Sequence, residues 1–185
     1  MNRFGITLIC VAIAALIIGV ASLPAQQTRV SPHETISAVI DGNRVTVVYG
    51  RPYSKDPKSD NIRKIWGTLV PYDHWWRLGS DEATTLITQQ PIMMGETTVP
   101  AGAYTLYMLP VKDGPSKLII NKQLGQWGLT YDDKQDLARV DLKMDSVTTP
   151  VNQLTLAVER NPGGGGILKI TWEQTQFSLP FTTKK

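Results

Sequence analysis

The chain has 185 residues (20.5 kDa), of which 42% are hydrophobic and 19% charged, with 15 Gly and 12 Pro. That length suits one domain, and the composition is too apolar for a disordered chain and too rich in Gly and Pro for a helical bundle. Nineteen basic against sixteen acidic residues leave a net charge of +3, a small excess that does not imply nucleic acid as a partner.

At the N-terminus, Arg3 is the last charge before an apolar run through Ile6, Leu8, Val11, Leu16 and Val20 that ends in small residues. Residues 1–25 read as an export signal, with cleavage after Ala25 or Ser22, or else as an uncleaved anchor that spans the membrane with residues 4–23. The expected location is therefore periplasmic or extracellular. Cys10 is the single cysteine. It lies inside the leader, and Ile9 before it does not suit a lipobox. A processed chain would fold without disulfides and would lack thiol nucleophiles and Cys-held zinc or iron–sulfur clusters.

Residues 26–181 are expected to form a single β-sandwich domain, jelly-roll-like, with residues 182–185 as a polar tail. Alternation over residues 35–40 and 45–49, broken at Asp41, Gly42 and Asn43, predicts a hairpin. Ile36, Ala38 and Ile40 would share one face, and Val45, Val47 and Tyr49 the matching face of the partner strand. The next 30 residues lack any period of two. Asp60 as a cap and Gly67 as a stop predict one short helix between them. A connection of this length either plugs the end of a sandwich or shapes a site. Further strands are predicted at 84–90, 92–94, 97–99, 104–109, 117–121, 137–142, 154–160, 168–173 and 176–180. Many short strands and no long helix argue for antiparallel sheets. The four glycines at 163–166 read as a hairpin tip, since no P-loop Lys and Ser/Thr follow them.

Residues 66–84 hold three of the five tryptophans, one of the two histidines and a charged cluster. Trp66, Trp75 and Trp76, with Tyr72, offer flat faces to a sugar or another apolar-faced ligand, while Arg77, Asp81 and Glu82 would bond its polar groups. Arg51, just past an apolar strand, and Trp127, between glycines, could join one cleft if the loops converge. The plainer reading places these rings in the core, with Arg77 held by a carboxylate and Arg51 capping a sheet edge.

His74 with Asp73 or Glu82 is the candidate acid–base pair, set against the plainer reading of a packed histidine. His33, behind Pro32, is expected to be exposed. Two histidines cannot make a three-His zinc site, and a two-His-one-carboxylate site would need His33 and His74 to meet with Glu34, Asp73 or Glu82. Ser80 lacks the G-x-S-x-G elbow. The adjacent pairs Asp81/Glu82 and Asp132/Asp133 would point to opposite faces of a strand. Asp132, Asp133 and Asp136 lack the calcium-loop pattern and read as a solvated turn. No metal or other cofactor is implied.

Several motifs recur in combination: Ser31, Pro32 and His33; Arg51 and Pro52; Trp66 and Gly67 with Leu69, Val70, Pro71 and Tyr72; Trp76 and Arg77 with Gly79, Glu82, Ala83 and Thr84; and Pro100, Ala101 and Gly102 with Tyr104. With Asn121 and Lys122, Trp127 and Gly128, and Trp172 and Glu173, the chain from residue 31 to about 180 resembles the bacterial domain-of-unknown-function family 2911. The resemblance implies an exported bacterial protein and brings no established activity. It also implies an architectural Arg77–Glu82 pair, because both residues stand in the shared motif. The chain departs from the usual pattern in a lengthened segment at 53–61 and at Leu78, Ser80 and Asp81, where Thr, Ala and Asn are commoner.

The expectation is an exported, non-catalytic envelope module that binds a carbohydrate or another small molecule. The alternatives are a hydrolase built on His74 and a structural or protein-interaction domain without a ligand.

Overall fold

The computed structural model describes residues 29–59 and 61–184. The leader with Cys10, the Asp60 cap and Lys185 lie outside the described residues. The protein is all-β, with two antiparallel sheets in a sandwich-like arrangement.

β1 (His33–Ile40) and β2 (Asn43–Gly50) form the expected hairpin. Its two-residue turn has Asp41 at φ 49° and Gly42 at φ 84°, the left-handed pair that matches the twist of the flanking strands. Ile36 faces Val47 and Ala38 faces Val45, so the apolar halves of both strands point inward as their alternation requires. β3 (Thr84–Thr88), β6 (Gly102–Leu109), β7 (Lys117–Asn121) and β8 (Asp136–Asp141) complete a six-stranded sheet in the order β1-β2-β3-β6-β7-β8. β4 (Ile92–Met94), β5 (Thr97–Val99), β9 (Lys143–Arg160) and β10 (Gly166–Thr183) form the second sheet, ordered β5-β4-β10-β9.

One hydrophobic cluster joins the sheets. Val45, Val47, Leu86, Leu106, Leu118 and Ile120 come from the first, and Ile92, Met94, Leu154, Leu156, Leu168, Ile170 and Phe177 from the second. A polar strap crosses the same seam. The Tyr49 hydroxyl donates to Glu34 Oε2 at 2.9 Å and accepts from the Leu156 backbone N–H at 2.9 Å. Arg51 pairs with Glu34 at 3.0 Å and donates to the Leu154 carbonyl and the Thr155 hydroxyl. Burial comes first among the causes that push the Tyr49 phenol up to about 12, because the ionised form would lose its hydration.

The structure departs from the sequence expectations in three places. No helix forms between residues 61 and 67; the one helical element among the described residues is the 3-10 turn Asp133–Gln135, capped by Asp132. Ile62 bridges to Lys55, the Arg63 N–H donates to the Ser54 carbonyl, and the Val70 N–H donates to Ile65. These backbone groups are used across the connection and not along a helix. Ile62 is 75% exposed while Ile65 is buried, so end signals at Asp60 and Gly67 do not suffice to make a helix here. Second, β9 and β10 are single 18-residue strands. β10 continues through a register irregularity around Glu173, at φ 53°, which bends the strand without ending it. The first half of β9 is mostly solvent-facing, so it carries no apolar alternation. Third, Thr182 and Thr183 of the expected tail pair with Met93 and Ile92.

Candidate functional site

The connection from β2 to β3 folds back over one end of the molecule and is pinned by backbone hydrogen bonds. Asp73 N–H donates to the Pro110 carbonyl, Trp76 exchanges both backbone hydrogen bonds with Met108 at 2.7 and 2.9 Å, and Gly128 N–H donates to Asp81 at 2.9 Å. Gly50 permits the closest approach. A Cβ there would lie 2.3 Å from the Ser80 carbonyl oxygen, so the end of β2 and the 79–80 backbone touch directly.

Asp73, Leu78 and Asp81 have φ of 60°, 51° and 64°. Asp tolerates this left-handed region, whereas a bulky Leu there is strained and persists only where its surroundings hold it. They do: Leu78 is fully buried, and its carbonyl accepts from the Thr84 hydroxyl at 2.9 Å. The strain is concentrated where the chain must present consecutive side chains from a short loop.

Trp75, Trp76, Arg77, His74 and Asp81 line a pocket of about 520 Å³, together with Trp172 of β10, Tyr53, Arg63, Leu69 and Leu129. Thirteen of its seventeen lining residues belong to the β2–β3 connection, which makes that connection the builder of the site. The rings form two groups. Trp76 stacks on Trp172 at 5.9 Å between centroids and meets the edge of Trp66 at 6.0 Å, with Phe177 beyond Trp66. Trp75 packs on Tyr107 and Tyr131 at 5.5 and 4.9 Å and carries His74 on its outer side. The Tyr131 hydroxyl donates to Asp136 at 2.7 Å and accepts from Arg139 at 2.9 Å. Burial, and then the Asp136 carboxylate, raise its pKa. Both aromatic groups are thus braced from behind, which fixes their faces.

Arg77 donates through Nε to the Gly79 carbonyl at 3.2 Å and forms no ion pair among the described residues. Burial lowers its pKa, and the charge of Asp81 partly opposes that effect. Asp81 itself turns toward His33, with Oδ2 3.4 Å from Nε2.

Of the residues singled out in the sequence, His74, Trp75, Trp76, Arg77 and Asp81 line the pocket. Trp66 stands behind Trp76. Tyr72 packs its ring over Gly67, outside the lining, and Trp127 projects into solvent at 50% exposure. Arg51 serves the inter-sheet strap. The Arg77–Glu82 pair implied by the resemblance does not form. Glu82 instead bonds Arg29 and lies 3.4 Å from His33. His33 is accordingly half-buried between carboxylates and not exposed, because β1 begins beside the 79–83 loop. His74 has its Nδ1 2.8 Å from the Trp75 carbonyl and no carboxylate partner among the described residues, so the histidine–carboxylate pairing the hydrolase reading requires is not assembled. No group of three or more described His, Cys, Asp or Glu residues could hold a metal ion.

Sequence reasoning missed Trp172, Tyr53, Arg63, Leu69 and Leu129 as lining residues. Trp172 alternates in phase with Ile170, a pattern that signals burial but not what the ring faces. Tyr53 belongs to the lengthened 53–61 segment, whose departure from the family pattern was the only pointer.

An all-β protein of two antiparallel sheets, with a long connection shaping an aromatic pocket at one end, is the class that fold and site define. The chain belongs to the family described as protein of unknown function (DUF2911), whose model matches residues 31–181, from just before β1 to near the end of β10. No curated protein and no solved structure matches it.

Proposed function

We propose that this protein is an exported, non-catalytic module of the cell envelope that binds a carbohydrate or another small ligand in the tryptophan-lined pocket. The observation that carries this reading is the convergence of Trp75, Trp76, Trp172 and Arg77 on one hollow of about 520 Å³. Ligand pockets run to about 300–1,000 Å³ and combine apolar walls with a few fixed polar groups. Flat indole faces suit the apolar face of a sugar ring or another planar body, and the side chains behind them keep those faces in place without the ligand having to order them. Asp81 is the one carboxylate among the described lining residues, whereas glycoside hydrolysis generally needs two; this favours binding over turnover. Export rests on the charged start and apolar run of residues 1–25.

The test is intrinsic tryptophan fluorescence of the purified chain against a panel of glycans and small metabolites, followed by calorimetry on any hit. Saturable quenching that Trp75→Ala weakens at least tenfold is the expected result. A flat response across the panel, with the native fold confirmed by circular dichroism, overturns the reading.

A further inference from the structure

We propose that the pocket's occupant is a small organic anion: an apolar or planar body bearing one carboxylate, which docks on the free edge of the Arg77 guanidinium. This rests on the binding reading above and narrows it.

Among the described lining residues, unmet hydrogen-bonding groups include the Arg77 terminal nitrogens and the Trp172 indole N–H, which only donate, and the Ser80 hydroxyl, which can donate or accept. Arg77 spends Nε on the Gly79 carbonyl, and its two terminal nitrogens have no acceptor among the described residues. Trp172 is 1% exposed, lines the pocket and has an indole N–H without a partner. A buried donor left unpaired is costly, and the Trp172 indole N–H, on a ring that lines the same hollow as Arg77, adds to the call for a ligand rich in acceptors. A neutral sugar brings donors and acceptors in similar number; a carboxylate brings acceptors alone.

Charge points the same way. Among the described lining residues there are two guanidiniums, Arg63 and Arg77, against the single carboxylate of Asp81. Arg63 is engaged by the Ser54 and Tyr53 carbonyls. Asp81 acts on Arg77 through space but approaches His33, and does not come within ion-pairing distance of the guanidinium. Arg77 is therefore a partly desolvated cation without a counter-ion, and its fork of parallel N–H groups matches a carboxylate in two-point geometry.

The stem is held for this task. A Cβ on Gly128 would lie 2.7 Å from Arg77 Cδ and 2.7 Å from the Asp81 carbonyl oxygen, so the 127–129 backbone lies directly against the side chain and restricts its swing.

The experiment compares matched acid and neutral probes on the intact chain by calorimetry at low salt: galacturonate with galactose, and phenylacetate with phenylacetamide. The acid of at least one pair is expected to bind about 10- to 100-fold tighter than its neutral partner, the range of a charge-assisted hydrogen-bond pair. Arg77→Gln should erase that preference, bringing the acid down to the affinity its neutral partner shows for the same variant, and Arg77→Lys should restore part of it. Which pair responds separates a sugar acid from an aryl acid. If acid and neutral forms bind alike, or if Arg77→Gln keeps the preference, the inference is overturned while the binding reading stands. If neither member of either pair binds, the inference is overturned, and the binding reading is decided by the panel described above. The wild-type comparison needs no variant, so a poorly folding substitution would not spoil the test.

Discussion

Replacing Tyr49 with Phe removes a single oxygen and cuts one of the polar links between the two sheets, leaving those of Arg51. The hydroxyl donates to Glu34 and accepts from the Leu156 N–H, each at 2.9 Å. Glu34 is partly exposed and can recruit water, but the Leu156 amide is buried and cannot. An orphaned buried donor costs about 1–3 kcal/mol and the lost bond to a charged acceptor about 1 kcal/mol more, giving roughly 2–4 kcal/mol in all. For a chain of this size that corresponds to a fall in Tm of roughly 5–15 °C.

The alkaline limb provides a second, independent check. The native phenol titrates near 12 and an unfolded tyrosine near 10. A group whose folded pKa is raised contributes fully below its unfolded value, and that contribution declines as pH climbs from 10 towards 12. Between pH 8 and pH 11 the stability gap between wild type and Tyr49→Phe should therefore narrow, by on the order of 1 kcal/mol. Urea unfolding followed by circular dichroism at both pH values measures it. An unchanged midpoint at pH 8, or a gap that stays constant to pH 11, would refute the account of the strap.

Three further substitutions probe how the site is built. Gly50→Ala places a Cβ 2.3 Å from the Ser80 carbonyl oxygen and should cost about 1–3 kcal/mol; Gly163→Ala, whose nearest neighbour would be 3.8 Å away, should leave the thermal midpoint almost unchanged, and equal effects would contradict the close approach. Gly128→Ala should displace Arg77 and weaken binding of whichever acid responds by about tenfold, an effect absent if calorimetry gives the wild-type constant. Acrylamide quenching should fall sharply in Trp127→Phe, because that ring is half exposed, and hardly change in Trp172→Phe, whose ring is 1% exposed; the reverse order would place the two rings wrongly.

Residues 36–49 show why much of the fold could be read directly. Alternating apolar residues around an Asp-Gly turn specify both the hairpin and its inward face, because period two and left-handed φ are local properties of the chain. The strands from 84 to 121 follow the same logic. The site was legible only in its densest stretch: Trp75, Trp76 and Arg77 drew notice by composition, and they do line the pocket. Their partners did not, since Trp172 lies nearly a hundred residues away and reads as an ordinary inward strand residue.

Sequence by itself determined the β-rich class and the hairpin faces, since these follow from the short-range geometry of neighbouring residues. Only tertiary structure decided that residues 61–67 form no helix, that Arg51 spans the two sheets, that Glu82 meets Arg29 and His33 while Arg77 stays without a counter-ion, and that Trp127 points outward. Each of those outcomes depends on which distant backbone groups and charges come within a few ångströms of the residue, and that proximity arises when the two sheets close over a shared core and the long connection settles against their end.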